Sequence, residues 1–105
     1  MTNTTSTPTD MQVLNSLKSV IDPELMVNIV DLGMIYNITI DSSTNLIEVE
    51  MTLTSKGCPL GDVIMQHATE VLKAQYPNYS SLINLVWEPA WNPSFITAQG
   101  NKELE

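Results

Sequence analysis

The stretch LIEVEMTLTSKGCPLGDVIMQHATEVLKAQ, Leu46 to Gln75, changes its period part-way along. Over Leu46–Thr54, Ile47, Val49, Met51 and Leu53 alternate with Glu48, Glu50, Thr52 and Thr54. Alternation of this kind belongs to a strand of a sheet with one buried face. After Cys58 the spacing lengthens. Leu60, Ile64, Ala68, Val71 and Leu72 form an apolar stripe down a helix, and Pro59 suits its first turn. A further apolar run, LINLVWE (82–88), follows and is ended by Pro89. Strand, helix and strand make a βαβ crossover, so the last strand is expected to run parallel to the first if both share a sheet.

Working outward, MIYNITI (34–40) predicts an earlier strand, with Met34, Tyr36, Ile38 and Ile40 on one face and Asn37 and Thr39 on the other. DSSTN (41–45) supplies the turn of a hairpin. A first helix is expected from about Pro8 to Val20, with Thr7 as cap and Pro23 preventing its continuation. DPELMVNIVDLG (22–33) fits neither period and reads as a packed loop. NPSFITAQG (92–100) reads as one short helical turn capped by Asn92. The predicted order is α-β-β-α-β: a two-layer α+β domain whose three-stranded mixed sheet is covered by helices on one face. Residues 1–6 read as a disordered tail, 7–99 as one domain, and 100–105 as a mobile, charged C-terminal tail.

Composition narrows the function classes. The 105 residues carry 4 basic and 12 acidic side chains, a net charge of −8. That balance lacks the basic footprint of a nucleic-acid binder and repels an anionic membrane surface. No apolar run approaches the roughly 20 residues of a membrane helix. The N-terminus has neither the charge nor the apolar core of a signal peptide, and a single cysteine forms no internal disulfide, so the expected compartment is the cytoplasm.

Cys58 follows Gly57 and precedes Pro59 at the strand-to-helix junction. A thiolate near a helix N-terminus is stabilised by the partial positive charge of the first-turn amides. Gly57 is expected to allow tight backbone approach or positive φ, and Gly61 to keep bulk away from the sulfur. A lone cysteine is equally at home as a small buried hydrophobe, so both readings stay open. Three acids, Asp22, Glu24 and Asp31, stand in the apolar segment before the first strand, where an unpaired carboxylate is costly. The alternative for Asp22 and Asp31 is turn capping. Hairpin geometry brings that segment to the same edge as Thr54, Ser55 and Cys58. His67, nine residues after Cys58, is out of phase with it on the helix, which disfavours a Cys–His hydrolase. One cysteine and one histidine do not make a four-ligand zinc site.

The ordered set IDPELMVNIVDLGMIYNITI, VEMTLTSKGCPLGDVI and VWEPAWNPSFI resembles the SufT/PaaD-like family of metal–sulfur cluster biosynthetic proteins, over about Val13 to Ile96. The resemblance implies an iron–sulfur cluster assembly type of α+β domain and a non-catalytic, accessory role in maturing iron–sulfur proteins. It implies Cys58 as the contact to iron, a transient cluster or a client. Asp22, Glu24, Leu25, Asp31, Thr54, Ser55, Gly57 and Pro59 would shape the site. The implied partners are the assembly machinery and client apoproteins, and a homodimer is compatible. The chain departs from the family pattern at Met26, where glycine is frequent, and at Ser55, where threonine is. It lacks the cysteine-rich tail of the PaaD branch, which favours the SufT-like branch. Two alternatives are an interaction adaptor with a structural cysteine and a small thiol-dependent enzyme.

Overall fold

In the computed structural model, which describes residues 7–57 and 60–104, the predicted alternation of Leu46–Thr54 forms the centre of the sheet. The elements are α1 (Asp10–Leu17), β1 (Ile21–Asp22), β2 (Val27–Asn28), β3 (Ile35–Asp41), β4 (Leu46–Met51), α2 (Gly61–Gln75), β5 (Ser80–Leu85), a 3-10 turn (Pro93–Phe95) and α3 (Ala98–Leu104). Strand order in the main sheet is β3-β4-β5. β3 pairs antiparallel with β4, and β5 runs parallel to β4, as the crossover requires. Ile47, Val49 and Met51 are buried and Glu50 is exposed, so a side-chain period of two puts one face of β4 in the core. α1 and α2 pack together, and they cover β3 and β5 respectively. Val13, Leu17, Ile64, Ala68 and Leu72 complete the core from the helical layer. A hydrogen bond of 3.0 Å between the Ser16 and Tyr76 hydroxyls ties the two helices near the C-terminal end of α2.

Helix boundaries differ from the sequence expectation for local reasons. The cap of α1 is Thr9, not Thr7. Thr9 Oγ1 accepts from the Gln12 amide at 3.1 Å, and Gln12 Oε1 accepts from the Thr9 amide at 2.9 Å. Such a reciprocal box satisfies two donors at once, so the start moves to the residue that has a partner three positions on. α1 ends at Leu17 because Val20 is taken up elsewhere: its carbonyl accepts from Ile29 at 3.0 Å. The expected packed loop thus contains a small hairpin, β1 against β2. α2 starts at Gly61, with Leu60 at its cap. Gly61 therefore stands in the first turn, and a Cβ there would meet Leu53 Cδ1 at 2.5 Å. Its smallness leaves room for Leu53, and the expectation about the Cys58 sulfur lies outside the described residues.

Two further expectations change. The ladder between β3 and β4 shifts between Ile35 and Asn37, which leaves Tyr36 as an extra residue. This β-bulge breaks the alternation expected for Met34–Ile40. Residues read as a charged tail instead lie in α3, whose Gly100 is buried. The helix is short, and docking rather than propensity accounts for it. The expected Asn92-capped turn is present, with Asn92 Oδ1 accepting from the Ser94 amide at 2.8 Å. The expectation for residues 1–6 lies outside the described residues.

Gly33 takes φ +78°, and a Cβ there would lie 2.5 Å from both Cβ and the carbonyl oxygen of Phe95. Gly57 has an ordinary φ, and among the described residues no atom lies within 4 Å of a built Cβ, so no tight approach is seen there. Gly33→Ala is expected to lower stability by about 2–4 kcal/mol, while Gly57→Ala stays within about 0.5 kcal/mol of the parent. Urea denaturation of the two variants measures the contrast.

Candidate functional site

The three acids of the 22–33 segment fall into different environments. Asp22 is 1% exposed, and its Oδ1 accepts from the amides of Glu24 at 2.8 Å and Leu25 at 3.1 Å. It holds the turn that lets Met26 adopt φ 60° at the hairpin tip. Glu24 and Leu25 are exposed at that tip. Asp31 is buried, and both carboxylate oxygens are occupied: Asn28 Nδ2 donates to one at 2.8 Å and Thr97 Oγ1 to the other at 2.9 Å. The hydrogen bond from Asn28, helped by that from Thr97 and by the charge of Lys18, outweighs burial and holds the Asp31 carboxyl below its ordinary value. Asp22 thus follows the turn-capping alternative, whereas the Asp31 carboxylate is paired to two side chains and caps no turn amide.

Backbone hydrogen bonds join this segment to the strand that leads to the cysteine. Ile29 donates to Val20, Met34 to Ile29 and Thr52 to Met34, at 2.9–3.0 Å. The base of the small hairpin therefore sits in register with the end of β4, just before Thr54, Ser55 and Gly57. Cys58 and Pro59 lie outside the described residues. A groove is lined by Leu53, Thr54, Ser55 and Lys56, which precede them in the chain, on one side and by Trp87, Ala90 and Trp91 on the other. Thr54 is half-buried and Ser55 exposed. Lys56 Nζ lies 5.6 Å from the Trp87 ring centroid, in range for a cation–π contact. Trp91 is anchored by a 2.7 Å bond from Nε1 to the Leu32 carbonyl.

Sequence reasoning named Thr54 and Ser55 but missed Lys56, Trp87 and Trp91. The signal was present, since WEPAW (87–91) sets two tryptophans around a proline in a chain with few aromatics. What was missing was the knowledge that the C-terminal segment folds back beside the β4–α2 loop. Among the described residues no group of three or more His, Cys, Asp or Glu side chains could hold a metal ion. His67 is exposed on α2.

With this geometry in place, comparison with known proteins is informative. Residues 10–80 match the family model of the iron–sulfur cluster assembly protein. The chain belongs to this family. It is 40% identical over 79 residues to the Fe-S protein maturation auxiliary factor SufT of Staphylococcus aureus, covering 74% of this chain and 88% of that one. It is 32% identical over 96 residues to an Fe-S protein maturation auxiliary factor of Porphyromonas gingivalis, covering 91% and 90%. Among solved structures, a domain of unknown function from Bacillus anthracis superposes with a TM-score of 0.85 at 34% identity, over 90% of each chain. A conserved hypothetical protein from Thermotoga maritima superposes at 0.79 and 35% identity, over 92% and 94%. The family's fold is thus the α+β arrangement seen here, and the SufT-like resemblance read from the motifs holds.

The Asp31 shift gives a pH signature. Its folded pKa lies below the unfolded value, so its contribution to stability is complete above about pH 4 and is lost as pH falls through the folded pKa. Asp31→Asn is expected to destabilise the fold at neutral pH, because its amide opposes the Asn28 donor. It should also flatten the decline of the denaturation midpoint below about pH 4. Urea midpoints measured from pH 7 down to pH 3 check both effects.

Proposed function

We propose that this chain is an accessory factor in the maturation of iron–sulfur proteins, working by contact rather than by catalysis. Cys58 is the contacting group, as a thiolate to iron, to a cluster in transit or to a client's own metal site. The observation that carries this reading is the 40% identity to a SufT named as an auxiliary factor of Fe-S protein maturation, over a span that includes the cysteine loop. A structural relative from Mycobacterium tuberculosis, associated with Fe-S complex assembly and repair, adds weight at 33% identity and a TM-score of 0.53.

The chemistry of the donor set fits transient contact. One thiolate does not saturate iron, and among the described residues no group of three or more His, Cys, Asp or Glu side chains could hold a metal ion, so the remaining ligands in this reading come from sulfide, a client or a second copy. Lys56, held over Trp87, puts a positive charge in the groove, which suits an anionic partner group. Asp22 and Asp31 act through the backbone they hold. Thr54 and Ser55 line the groove, and in this reading Glu24 and Leu25, exposed at the hairpin tip, shape the partner's approach. The partners in this reading are the assembly machinery and apoprotein clients in the cytoplasm.

Anaerobic incubation with iron and sulfide is expected to give the parent chain visible absorption that Cys58→Ala lacks. Cells carrying Cys58→Ala are expected to show lowered activity of iron–sulfur enzymes at unchanged levels of this chain. If neither chain binds iron and the variant supports those enzymes fully, the thiol reading fails. An unchanged capture of client apoproteins by Cys58→Ser would then favour the adaptor reading.

A further inference from the structure

A second concavity, of about 550 Å³, opens beside Glu50, on the side of the sheet that carries no helix. The bulge in β3 creates its main wall. Tyr36 and Phe95 meet edge-to-face there, with centroids 6.1 Å apart and planes at 78°. Tyr36 spends its hydroxyl on the Pro89 carbonyl at 2.6 Å, so it offers a ring and no free donor. Ile35 and Pro89 add apolar surface. The charged groups in the lining are two exposed carboxylates, Glu50 and Glu88, and it contains no lysine, arginine or histidine.

Aromatic faces beside carboxylates select an organic cation. The ring quadrupole attracts positive charge, and a planar guanidinium can stack on a ring while its N–H fork meets carboxylates. The shape indicates the source of that cation. Sites for free small molecules enclose most of the ligand surface, whereas this one is open. It also continues onto the uncovered face of the sheet, where Glu48 accepts from Asn84 Nδ2 at 2.6 Å and Asn37 and Thr39 are exposed. That polar, acidic track suits the backbone and neighbouring side chains of an extended segment. We propose that the Tyr36–Phe95 concavity receives an arginine side chain from an extended basic segment of a partner protein, with Glu50 and Glu88 pairing its guanidinium.

The test is an NMR titration of the whole chain with three probes: a capped Gly-Arg-Gly peptide, its neutral citrulline isostere and free arginine. The arginine peptide is expected to shift the amides of Gly33, Tyr36 and Phe95 saturably. The isostere should leave them in place, and free arginine should bind more weakly than the peptide. Replacing both acids, Glu50→Gln with Glu88→Gln, should weaken the peptide at least about fivefold. A charge-matched pair elsewhere, Glu70→Gln with Glu103→Gln, should leave it unchanged. Four results would each overturn the proposal: no saturable shift, equal binding of the isostere, equal or tighter binding of free arginine, or equal weakening by both pairs of substitutions.

Discussion

The carboxylate of Asp31 is the point to which the rest of the architecture is fastened. It takes a donor from Asn28, in β2, and another from Thr97, at the start of α3. The Thr97 amide bonds the Asp31 carbonyl at 2.8 Å, and the Gly100 amide reaches Thr97 Oγ1 at 3.0 Å. Gly100 itself allows no side chain, because a Cβ would sit 2.7 Å from the Asp31 carbonyl oxygen. A buried charge is tolerated only when its hydrogen-bonding capacity is filled, and here filling it requires two distant parts of the chain at once. The C-terminal segment is therefore a structural partner of the segment before β3. Docking it there brings Phe95 over Gly33 and Trp91 Nε1 to the Leu32 carbonyl.

How much of this the sequence disclosed follows the range of the interactions involved. The β4 alternation and the α2 stripe were legible because they reflect local period and one common core. The parallel placement of β5 followed from the crossover. Features decided by a single distant contact were not legible. Tyr36 leaves the expected face at a bulge and finds Pro89, 53 residues away. The tail-like residues of α3 become a helix only because Asp31 and Thr97 receive its first turn. Between these extremes lies the small hairpin. DPEL carried its turn signal openly, yet strands of two residues leave no period to read.

The same division applies to the candidate site. The cysteine loop was found from its residue types, since a thiol before a helix start is a local property. The acids were grouped with it on the argument that carboxylates in an apolar segment must be paired or used. The structure answers that argument differently for Asp22 and Asp31: both are paired, one to turn amides and the other to side chains. Lys56, Trp87 and Trp91 entered only once the fold placed WEPAW opposite Ser55. Sequence thus singled out the cysteine loop, and tertiary structure supplied the groove that runs along residues 53–56 and 87–91.

Among the motifs that first suggested the family, DPEL, DLG and W-x-P are then parts of one framework rather than a set of reacting groups. DPEL folds a hairpin whose base bonds through Ile29 and Met34 to Thr52. DLG supplies the Asp31 anchor and, in Gly33, the positive φ that leaves room for Phe95. W-x-P lies on the segment that this anchor holds down. Glu88, at its centre, borders both the groove beside Ser55 and the concavity beside Tyr36. The two surfaces thus share a wall, the docked segment that carries Glu88. A change at Asp31, though its carboxylate is turned inward, reaches both of them, because it loosens the segment that walls each.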